Sequence, residues 1–561
     1  MRVLFRRLIF SLCGALALPA LAQVPTCTAP LWSPCELTFT LQPGEDPAAA
    51  QLRAEFRSPH KDTLVLRAFR DGSALILRFT PDEVGEWDFR VTSNIRRLDG
   101  QIGKTIGTAS SAPGFVRTIN VHHFQTANLQ PHLWMASAID NFAGIPRADF
   151  EAAVTARTSE KFTHLRVTIE SGTDLKEAAE RIAIIQARGL VTDIALASIP
   201  EERRDRERYV TDIVARFTAF NITWAGVPAF ERLKNSKVIL RETGALLIQL
   251  DAYKHPRTSM SDVSSAPLLA ETPENRWMNI VSYGTPDPNV GAVEHQLFAI
   301  PGINAGIRTR SDLWNATMNG QYPASGSGKE FAVWFDFMSR TRYWELEPYF
   351  DVDGGRALAL REAEYNGNHY DAVEYIVYVE KPGPVELVVE DHGYDISWLN
   401  PATGDRVAGK GYSGKRFTGE PPDKLHDWIL HVSREGRKES MLKSYKFESR
   451  RILLQEVESN PTTVPFEIGK PTGDIIMHLP SLYALNIVRP TRATRDLLIE
   501  WTAELATGTE GGRIVGTGRE GTFRLPESFA ARLPAVVSMR AVILNANGKL
   551  YVIDRAFRLV P

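Results

Sequence analysis

The stretch HLRVTIESGTDLKEAAERIAIIQARGLVTDIALAS, residues 164–198, decides the fold of the central part of the chain. A short apolar run, HLRVTI, precedes a segment whose apolar residues recur at helical spacing, and a second apolar run, LVTDIAL, follows. Buried strands give the first pattern and amphipathic helices give the second. The stretch therefore predicts a strand, a crossover helix and a parallel strand.

The same alternation extends from about residue 130 to residue 345. LWMASAI and NITWAGV predict further strands, and RADFEAAVTARTSEKF and EERRDRERYVTDIVARFTAF predict further helices. The series continues through RTSMSD, WMNIVSYG, GINAGI and EFAVWFDFMSR. The count is close to eight units, which predicts a (β/α)8 TIM-type barrel over residues 121–345 rather than an open doubly wound sheet.

All-β patterns flank this region on both sides. Residues 23–120 contain alternating runs such as AQLRAEFRS and EWDFRVTS, and they predict a β-sandwich. Residues 346–435 predict a second β-sandwich, whose last strand is HDWILHVS. Residues 436–561 form an additional β-rich domain, in which NANGK predicts a hairpin turn. The predicted fold is multidomain, α/β plus all-β.

Residues 1–22 have the pattern of a secretory signal peptide. The basic MRVLFRR precedes the apolar LIFSLCGALALPALA, and Ala20-Leu21-Ala22 fits a small-residue cleavage site. The apolar run is shorter than the roughly 20 residues that span a membrane. We expect cleavage after Ala22 and a secreted or periplasmic protein, with a retained hydrophobic helix as the alternative.

Cys27 and Cys35 are the cysteines that the mature chain would keep. Two cysteines so close together in an oxidising compartment predict a small disulfide loop, with a pair of free thiols as the alternative. A metal site at these cysteines is disfavoured because no histidine or third cysteine lies nearby in the sequence.

The charge balance excludes one class of partner. Lys and Arg number 65 and Asp and Glu number 67, without a long basic run. Nucleic-acid binding is therefore not expected. No motif implies a metal or an organic cofactor, and the sequence leaves the oligomeric state open.

The order of the predicted domains resembles the bacterial apiosidase-like glycoside hydrolases. The stretches that carry the resemblance are FTPDEVGEWDFRVTS (79–93), NITW with LIQLDAYKHPRTS, LWNATMNG (313–320), YWELEP (343–348) and YDISWLNPATG (394–404). It spans roughly residues 40–433 and implies an Ig-like domain before the barrel and a collagen-binding-like β domain behind it. It also implies a barrel that cleaves glycosidic bonds with carboxylates at the carboxyl ends of its strands.

The glutamates that this resemblance implies are missing. The fourth strand of the family typically ends in Trp-Glu followed shortly by Asn-Glu. Here Trp224 matches, while the other positions hold Ala225, Pro228 and Ala229. Gly306 stands where the glutamate of the seventh strand is expected. Alanine and glycine cannot exchange a proton, so the usual catalytic pair is predicted to be absent.

Four other carboxylates are predicted at or just beyond the strand ends. Glu170 and Glu231 are candidates for a relocated catalytic acid. Glu170 has the alternative role of a substrate hydrogen-bonder or salt-bridge partner, and Glu231 that of opening a helix, where an acidic residue suits the helix dipole. Asp140 and Asp262 are candidate sugar-binding residues, with loop capping as the alternative.

Trp134, Trp224, Tyr283 and Trp314 are aromatic residues on or near strand ends. Aromatic rings stack on sugar faces but also fill protein cores. We expect core packing for two of the four and substrate contact for the others.

Two histidine-containing segments are expected away from the barrel mouth. Glu294 and His295 are predicted on a solvated face of the helix PNVGAVEHQLF. His122 and His123 are predicted in the connection between two domains, and a metal role would require further ligands.

Three function classes remain open. A carbohydrate-binding protein with a degenerate catalytic pair leads, and it predicts a mouth lined by aromatic and neutral polar groups. An active glycoside hydrolase with relocated carboxylates predicts two of them within about 10 Å of each other. An envelope scaffold or adhesion protein predicts a mouth plugged by side chains, and the fold alone does not choose among the three.

Overall fold

The computed structural model describes residues 24–119, 121–270, 277–365, 367–436, 466–477, 483–488, 498–507, 513–518, 520–523, 525, 527–544 and 550–561. The predicted signal peptide and the NANGK hairpin lie outside these residues. The described chain is a mixed α/β protein with many β-sheets. None of its described helices combines the length and apolar character needed to cross a bilayer.

The leading β unit contains two sheets. Its strands are β1 (Cys27–Pro30), β2 (Cys35–Thr40), β3 (Leu52–Arg57), β4 (Thr63–Arg67), β5 (Phe69–Asp71), β6 (Ala74–Phe79), β7 (Gly85–Ser93) and β8 (Ile102–Thr108). One sheet has the order β1-β8-β7-β3-β4 and the other β2-β6-β5. Residues of β3 alternate between buried and exposed, as one solvated sheet face requires. Phe56 and Phe79 stack between the two sheets with ring centroids 4.5 Å apart.

The central unit alternates short strands with helices after a hairpin of β9 (Val116–Ile119) and β10 (His123–Thr126). Its strands are β11 (Ala136–Ala138), β12 (His164–Ile169), β13 (Val191–Leu196), β14 (Ile222–Gly226), β15 (Val281–Tyr283), β16 (Gly302–Asn304) and β17 (Gln321–Pro323). Its helices are α1 (Arg147–Ser159), α2 (Leu175–Ala187), α3 (Arg203–Phe217), α4 (Ser236–Leu250), α5 (Ala292–Leu297), α6 (Arg310–Met318) and α7 (Lys329–Met338).

The central strands form two parallel sheets, β11-β12-β13-β14 and β15-β16-β17. Arg257 connects them, because it pairs in parallel with Trp224 of β14 and its carbonyl accepts the N–H of Asn279 at 3.0 Å. Every residue of β13 is buried, as expected for a parallel strand covered on both faces. The predicted strand, helix and parallel strand over residues 164–198 are confirmed.

Two segments of the predicted series differ from expectation. RTSMSD makes one bridge at Arg257 but no regular strand. EFAVWFDFMSR forms helix α7, because its buried Phe331, Trp334 and Phe337 recur at helical spacing. The short strand β17, which the sequence did not indicate, precedes α7 instead.

The trailing β unit is antiparallel. Its strands are β18 (Glu347–Tyr349), β19 (Val352–Asp353), β20 (Arg356–Leu360), β21 (Ala363–Tyr365), β22 (Asn368–Tyr370), β23 (Glu374–Val379), β24 (Val385–Leu399), β25 (Arg406–Ala408), β26 (Tyr412–Gly419) and β27 (Trp428–Arg434). The main sheet has the order β18-β20-β23-β27-β24-β19. The stretch VELVVEDHGYDISWL forms the single long strand β24.

The final β unit contains β28 (Glu467–Lys470), β29 (Ile475–Ile476), β30 (Tyr483–Val488), β31 (Leu498–Leu505), β32 (Arg513–Thr517), β33 (Glu520–Phe523), β34 (Ala535–Leu544) and β35 (Leu550–Val560). Its sheets have the orders β28-β30-β33 and β29-β35-β34-β31-β32. The unit contacts the central unit, because Lys237 pairs with Glu504 at 3.0 Å and Arg532 donates to Asn235 at 2.6 Å.

Candidate functional site

The carboxyl ends of β11–β17 form the first candidate site. These strands are parallel to their neighbours within each sheet, and ligands of α/β proteins bind beyond the carboxyl ends of such strands. We call the loops that follow these strands the strand-end face. This face contains positions 225, 229 and 306, where catalytic glutamates were expected and where the chain has alanine or glycine.

Three glycines bring backbone against backbone on the strand-end face. A Cβ at Gly226 would lie 2.1 Å from the carbonyl oxygen of Thr258, and a Cβ at Gly284 would lie 2.1 Å from that of Ser261. A Cβ at Gly306 would lie 2.6 Å from both carbonyl atoms of Gly284. Cβ atoms essentially never approach other atoms within 3.0 Å, so these positions have no space for a side chain.

The end of β14 also differs from a catalytic strand end. Ala225 is fully buried within the strand. Gly226 has a φ of +66° and Ala229 a φ of +46°, so the chain turns sharply through the left-handed region. A 3₁₀ turn, Phe230–Arg232, follows this turn. No group that exchanges protons stands at either alanine.

Glu231 joins this turn to the segment that follows residue 260. Its Oε1 accepts the backbone N–H of Asp262 at 3.0 Å and the hydroxyl hydrogen of Ser261, and the residue is buried. Asp262 is half-buried and accepts the Arg232 guanidinium at 3.1 Å. Glu231 lies in the 3₁₀ turn Phe230–Arg232 and not in the first turn of α4, which begins at Ser236. Glu231 positions a loop.

Asp140 and Glu170 are exposed on the strand-end face, after β11 and β12 respectively. The loop after Glu170 is ordered by a hydrogen bond from its backbone N–H to Thr173 Oγ1 at 3.0 Å. Both carboxylates are accessible to a ligand. The structure brings Glu231 and Asp262 together but leaves Asp140 and Glu170 on other loops.

The four candidate aromatic residues are all buried in this structure. Trp134 precedes β11 and stacks on His164 with centroids 3.6 Å apart. It therefore lies at the amino end of the strand. Trp224 donates its indole N–H to Asp251 at 3.0 Å inside the core.

Trp314 and Tyr283 are equally enclosed. Trp314 lies in α6 and packs edge-on against Phe337, with centroids 5.7 Å apart. Tyr283 lies in β15 and is hydrogen-bonded to Glu294. Both rings stabilise the core, because removing a large apolar ring from water favours the folded state.

A buried carboxylate pair lies where the final β unit meets α5. Glu294 accepts the Ser264 hydroxyl at 2.7 Å, and Glu500 of β31 accepts the Gly291 N–H at 2.8 Å. Burial raises the pKa of Glu294 to about 7 and that of Glu500 well above its usual range. The predicted solvated position of Glu294 is therefore wrong.

Three histidines surround Glu347 in a second buried cluster. His122 Nδ1 lies 3.0 Å from Glu347 Oε2, His123 Nε2 lies 3.4 Å from Oε1, and His295 Nε2 contacts Oε2. Burial lowers the pKa of His295 to about 4 and also lowers the pKa of His123. Burial opposes ionisation of Glu347, yet the His122 and His295 imidazoles hold its pKa well below its usual range.

This cluster lies on the side of the central unit opposite to the strand-end face. His295 is in the last turn of α5, which leads to the amino end of β16. Gly320, directly before β17, packs so closely on His295 that a Cβ would lie 2.4 Å from the ring. The predicted solvated position of His295 is wrong. The four ligand-type residues come from distant parts of the chain, and only the adjacent His122 and His123 gave a sequence signal.

A groove of about 430 Å³ separates the leading β unit from α2 and α3. Its lining includes Glu36, Phe69, Arg78, Lys176, Glu180 and Arg216. The Arg78 and Arg216 guanidinium groups lie 4.9 Å and 4.6 Å from the centre of the Phe69 ring. The cations thus cover the aromatic ring, which leaves it unable to stack on a ligand.

Comparisons with known proteins agree with this architecture. Residues 28–94 match the family described as Domain of unknown function (DUF5060). A structure from Bacteroides vulgatus ATCC 8482, described as a "putative glycoside hydrolase", is 14% identical with a TM-score of 0.58, covering 73% of this chain and 100% of that one. A glycoside hydrolase family 5 structure from the same organism is 10% identical with a TM-score of 0.47, covering 60% and 96% respectively.

No curated protein matches the chain in sequence. At these identities the likeness to solved structures concerns the fold rather than the activity. The chain has a glycoside-hydrolase-like fold.

Proposed function

We propose that the protein is exported and binds carbohydrate through a glycoside-hydrolase-like barrel that lacks the usual catalytic pair. The two parallel sheets of β11–β17 and the Arg257 bridge support our proposal that the central unit is a (β/α)8 barrel. We place it between an Ig-like β-sandwich and a collagen-binding-like β-sandwich, in the apiosidase-like arrangement, with the residue boundaries predicted above.

The single observation that carries the proposal is the packing of Gly306 on Gly284. A glycoside hydrolase needs two carboxyl groups at the reacting bond, one to protonate the leaving oxygen and one to stabilise or attack the sugar carbon. The position expected to supply one of them has no space even for a Cβ. Ala225 and Ala229 stand at the positions expected to supply the other.

We assign sugar binding to the accessible carboxylates of the strand-end face. Asp140 and Glu170 are exposed, and Asp262 is half-buried beside Arg232. Carboxylates accept strong hydrogen bonds, which suits the adjacent hydroxyls of a sugar ring. None of this requires the buried aromatic residues.

A glycan array probed with the full mature protein tests this assignment. We expect binding to a subset of glycans. We expect Asp140→Asn and Glu170→Gln to weaken this binding about tenfold or more, which corresponds to a loss of about 1.4 kcal/mol of binding free energy. Glu207→Gln on the outer helix α3 is the matched control and should leave binding unchanged. Binding that neither strand-end variant weakens would refute the assigned surface, and failure to bind any glycan would refute the proposed ligand class.

The alternative is a hydrolase with relocated acids, for which Glu170 and Glu231 are the candidates, and the exposure of Glu170 on the strand-end face favours it. This alternative predicts cleavage that Glu170→Gln or Glu231→Gln abolishes.

A further inference from the structure

We propose that His122, His123, His295 and Glu347 bind a divalent transition-metal ion of the zinc class. The site lies at the amino ends of the central strands, so it is separate from the strand-end face. It depends neither on carbohydrate binding nor on hydrolysis. Its components are three imidazole nitrogens and one carboxylate, all within the buried interior.

The ligand atoms have the spacing of a metal site. The nitrogen and oxygen atoms offered by His122, His295 and Glu347 lie within 4.8 Å of one another. The separations of Glu347 from His122 Nδ1 and His123 Nε2 are 3.0 Å and 3.4 Å. Ligands about 2.0–2.1 Å from a tetrahedral zinc ion are separated by about 3.3 Å, which matches the separations of His122 and His123 from Glu347. The His122 and His295 rings, whose centroids lie 3.7 Å apart, would have to move apart to admit the ion.

The ring nitrogens of His122 and His123 that face away from Glu347 have the hydrogen-bond contacts that are usual in metal-binding histidines. His122 Nε2 lies 2.9 Å from the carbonyl oxygen of Phe298, and His123 Nδ1 lies 2.7 Å from the Tyr322 hydroxyl. Metal-binding histidines almost always use the second ring nitrogen for such a contact, which fixes the tautomer and the orientation of the ring. The opposite nitrogen of each ring therefore faces Glu347.

One of these inward nitrogens has no satisfactory partner within the part of the chain that the structure describes. His123 Nε2 is buried, and the Glu347 Oε1 that faces it lies 3.4 Å away, which is long for a hydrogen bond. A buried polar atom left in this state costs about 1–3 kcal/mol. Coordination to a metal ion would satisfy it.

An ion-pair network is the alternative explanation of the cluster, and the composition argues against it. Two other buried pairs, His431 with Glu374 and His255 with Asp251, have one imidazole for each carboxylate. Here three imidazoles surround Glu347. A set of three nitrogens and one oxygen favours zinc, copper or nickel over calcium or magnesium, which prefer oxygen ligands.

The site would stabilise the fold, because its residues are buried away from any substrate. His122, His295 and Glu347 form the core of the site, and His123 beside Glu347 is the candidate fourth ligand that would close a tetrahedral zinc site. The ligands join the segment before β10, the helix α5 and the strand β18. A bound ion would therefore link the entry of the central unit to the start of the trailing β unit.

The test is the metal content of the full mature protein, produced without a histidine tag. The protein is saturated with Zn²⁺, dialysed against metal-free buffer and analysed by mass spectrometry for metals. We expect about one zinc ion per chain and a raised unfolding temperature, because an ion that binds only the folded state stabilises it. Glu347→Gln and His123→Gln should retain several-fold less zinc than wild type.

Glu374→Gln is the matched control, since it changes a buried glutamate that pairs with one histidine, and it should retain zinc as wild type does. Folding of each variant is checked by circular dichroism. Co²⁺ bound to the wild-type protein gives a second readout, because four-coordinate cobalt absorbs intensely in the visible range. Wild-type protein without metal above the buffer blank, or equal zinc retention by Glu347→Gln, would overturn the proposal.

Discussion

Gly306 lies so close to Gly284 that a Cβ at position 306 would be 2.6 Å from the carbonyl carbon and oxygen of Gly284. The ends of β15 and β16 are therefore joined by direct backbone contact. A glutamate at position 306 would separate the two strand ends. The absence of a side chain at position 306 allows this close packing.

We predict that Gly306→Ala destabilises the protein by about 1–3 kcal/mol, because the added methyl group overpacks the strand-end face. Gly306→Glu should be more severe and should not create hydrolytic activity. Urea unfolding measures the effect. Gly383→Ala is the control, since the nearest atom to its added Cβ is 3.8 Å away, and equal stability of the two alanine variants would contradict this account.

We predict that Asp251→Ala destabilises the protein by about 3–5 kcal/mol, as removal of one partner from a buried ion pair does. Asp251 accepts the Thr218 hydroxyl at 2.6 Å, the Trp224 indole N–H at 3.0 Å and the His255 backbone N–H at 2.8 Å. Chemical denaturation checks the value. Asp336→Ala, which removes an exposed partner of Lys161, should cost about 0–1 kcal/mol. Similar losses in both variants would count against the buried network.

We predict that the Glu294 carboxyl group makes a contribution to stability that is lost as the pH rises from about 4.5 through about 7. Burial lowers the pKa of His164 and of His295, which gives the opposite slope over this range, so the Glu294 contribution is measured against a variant. Burial raises the pKa of Glu294 to about 7, and Glu500 and Asp287 are the neighbouring acids. The folded state therefore holds a proton that the unfolded state releases near pH 4.5, and this contribution is lost above the folded pKa. Unfolding free energies measured across this range check the slope.

The unfolding free energy of wild type minus that of Glu294→Gln should therefore fall as the pH rises through this range, since the amide remains neutral throughout. Glu207→Gln, which removes a surface carboxylate, should leave the slope as in wild type. An unchanged slope in Glu294→Gln would show that its carboxyl group is ionised in the folded protein.

We predict that replacing both Cys27 and Cys35 by serine costs about 2.5 kcal/mol, the loop-closure entropy of a short disulfide loop. The two residues form a disulfide across eight positions of sequence separation. A reducing agent should lower the unfolding temperature of wild type but leave that of the double variant unchanged. Equal stability of the oxidised wild type and the double variant would contradict a stabilising role.

The sequence predicted the local elements of the central unit because their patterns are local. Each strand of residues 164–198 buries a continuous apolar run, and the helix between them buries one apolar face. Both patterns can be recognised from consecutive residues. EFAVWFDFMSR shows the limit of that approach, because a short apolar run suits a strand or a buried helix equally well. Helical spacing of Phe331, Trp334 and Phe337 decided the outcome.

The surroundings of the site residues depend on distant contacts. Glu294 is buried because β31, about 200 residues later in the chain, supplies Glu500 beside it. His122 meets Glu347 across 225 positions of sequence. The roles of the aromatic residues are hard to predict for another reason. A tryptophan such as Trp134 or Trp224 looks the same in the sequence whether its ring stacks on a sugar or fills a core.

The most direct test of the central claim is a search for hydrolysis in water labelled with heavy oxygen. Each glycan that binds the mature protein is incubated with it, and mass spectrometry detects any new reducing end that carries the label. We predict no labelled product from wild type, Glu170→Gln or Glu231→Gln, with glycan binding retained by wild type and weakened in Glu170→Gln. Labelled product from wild type that disappears in one of these variants would show that the barrel is an active hydrolase with a relocated acid.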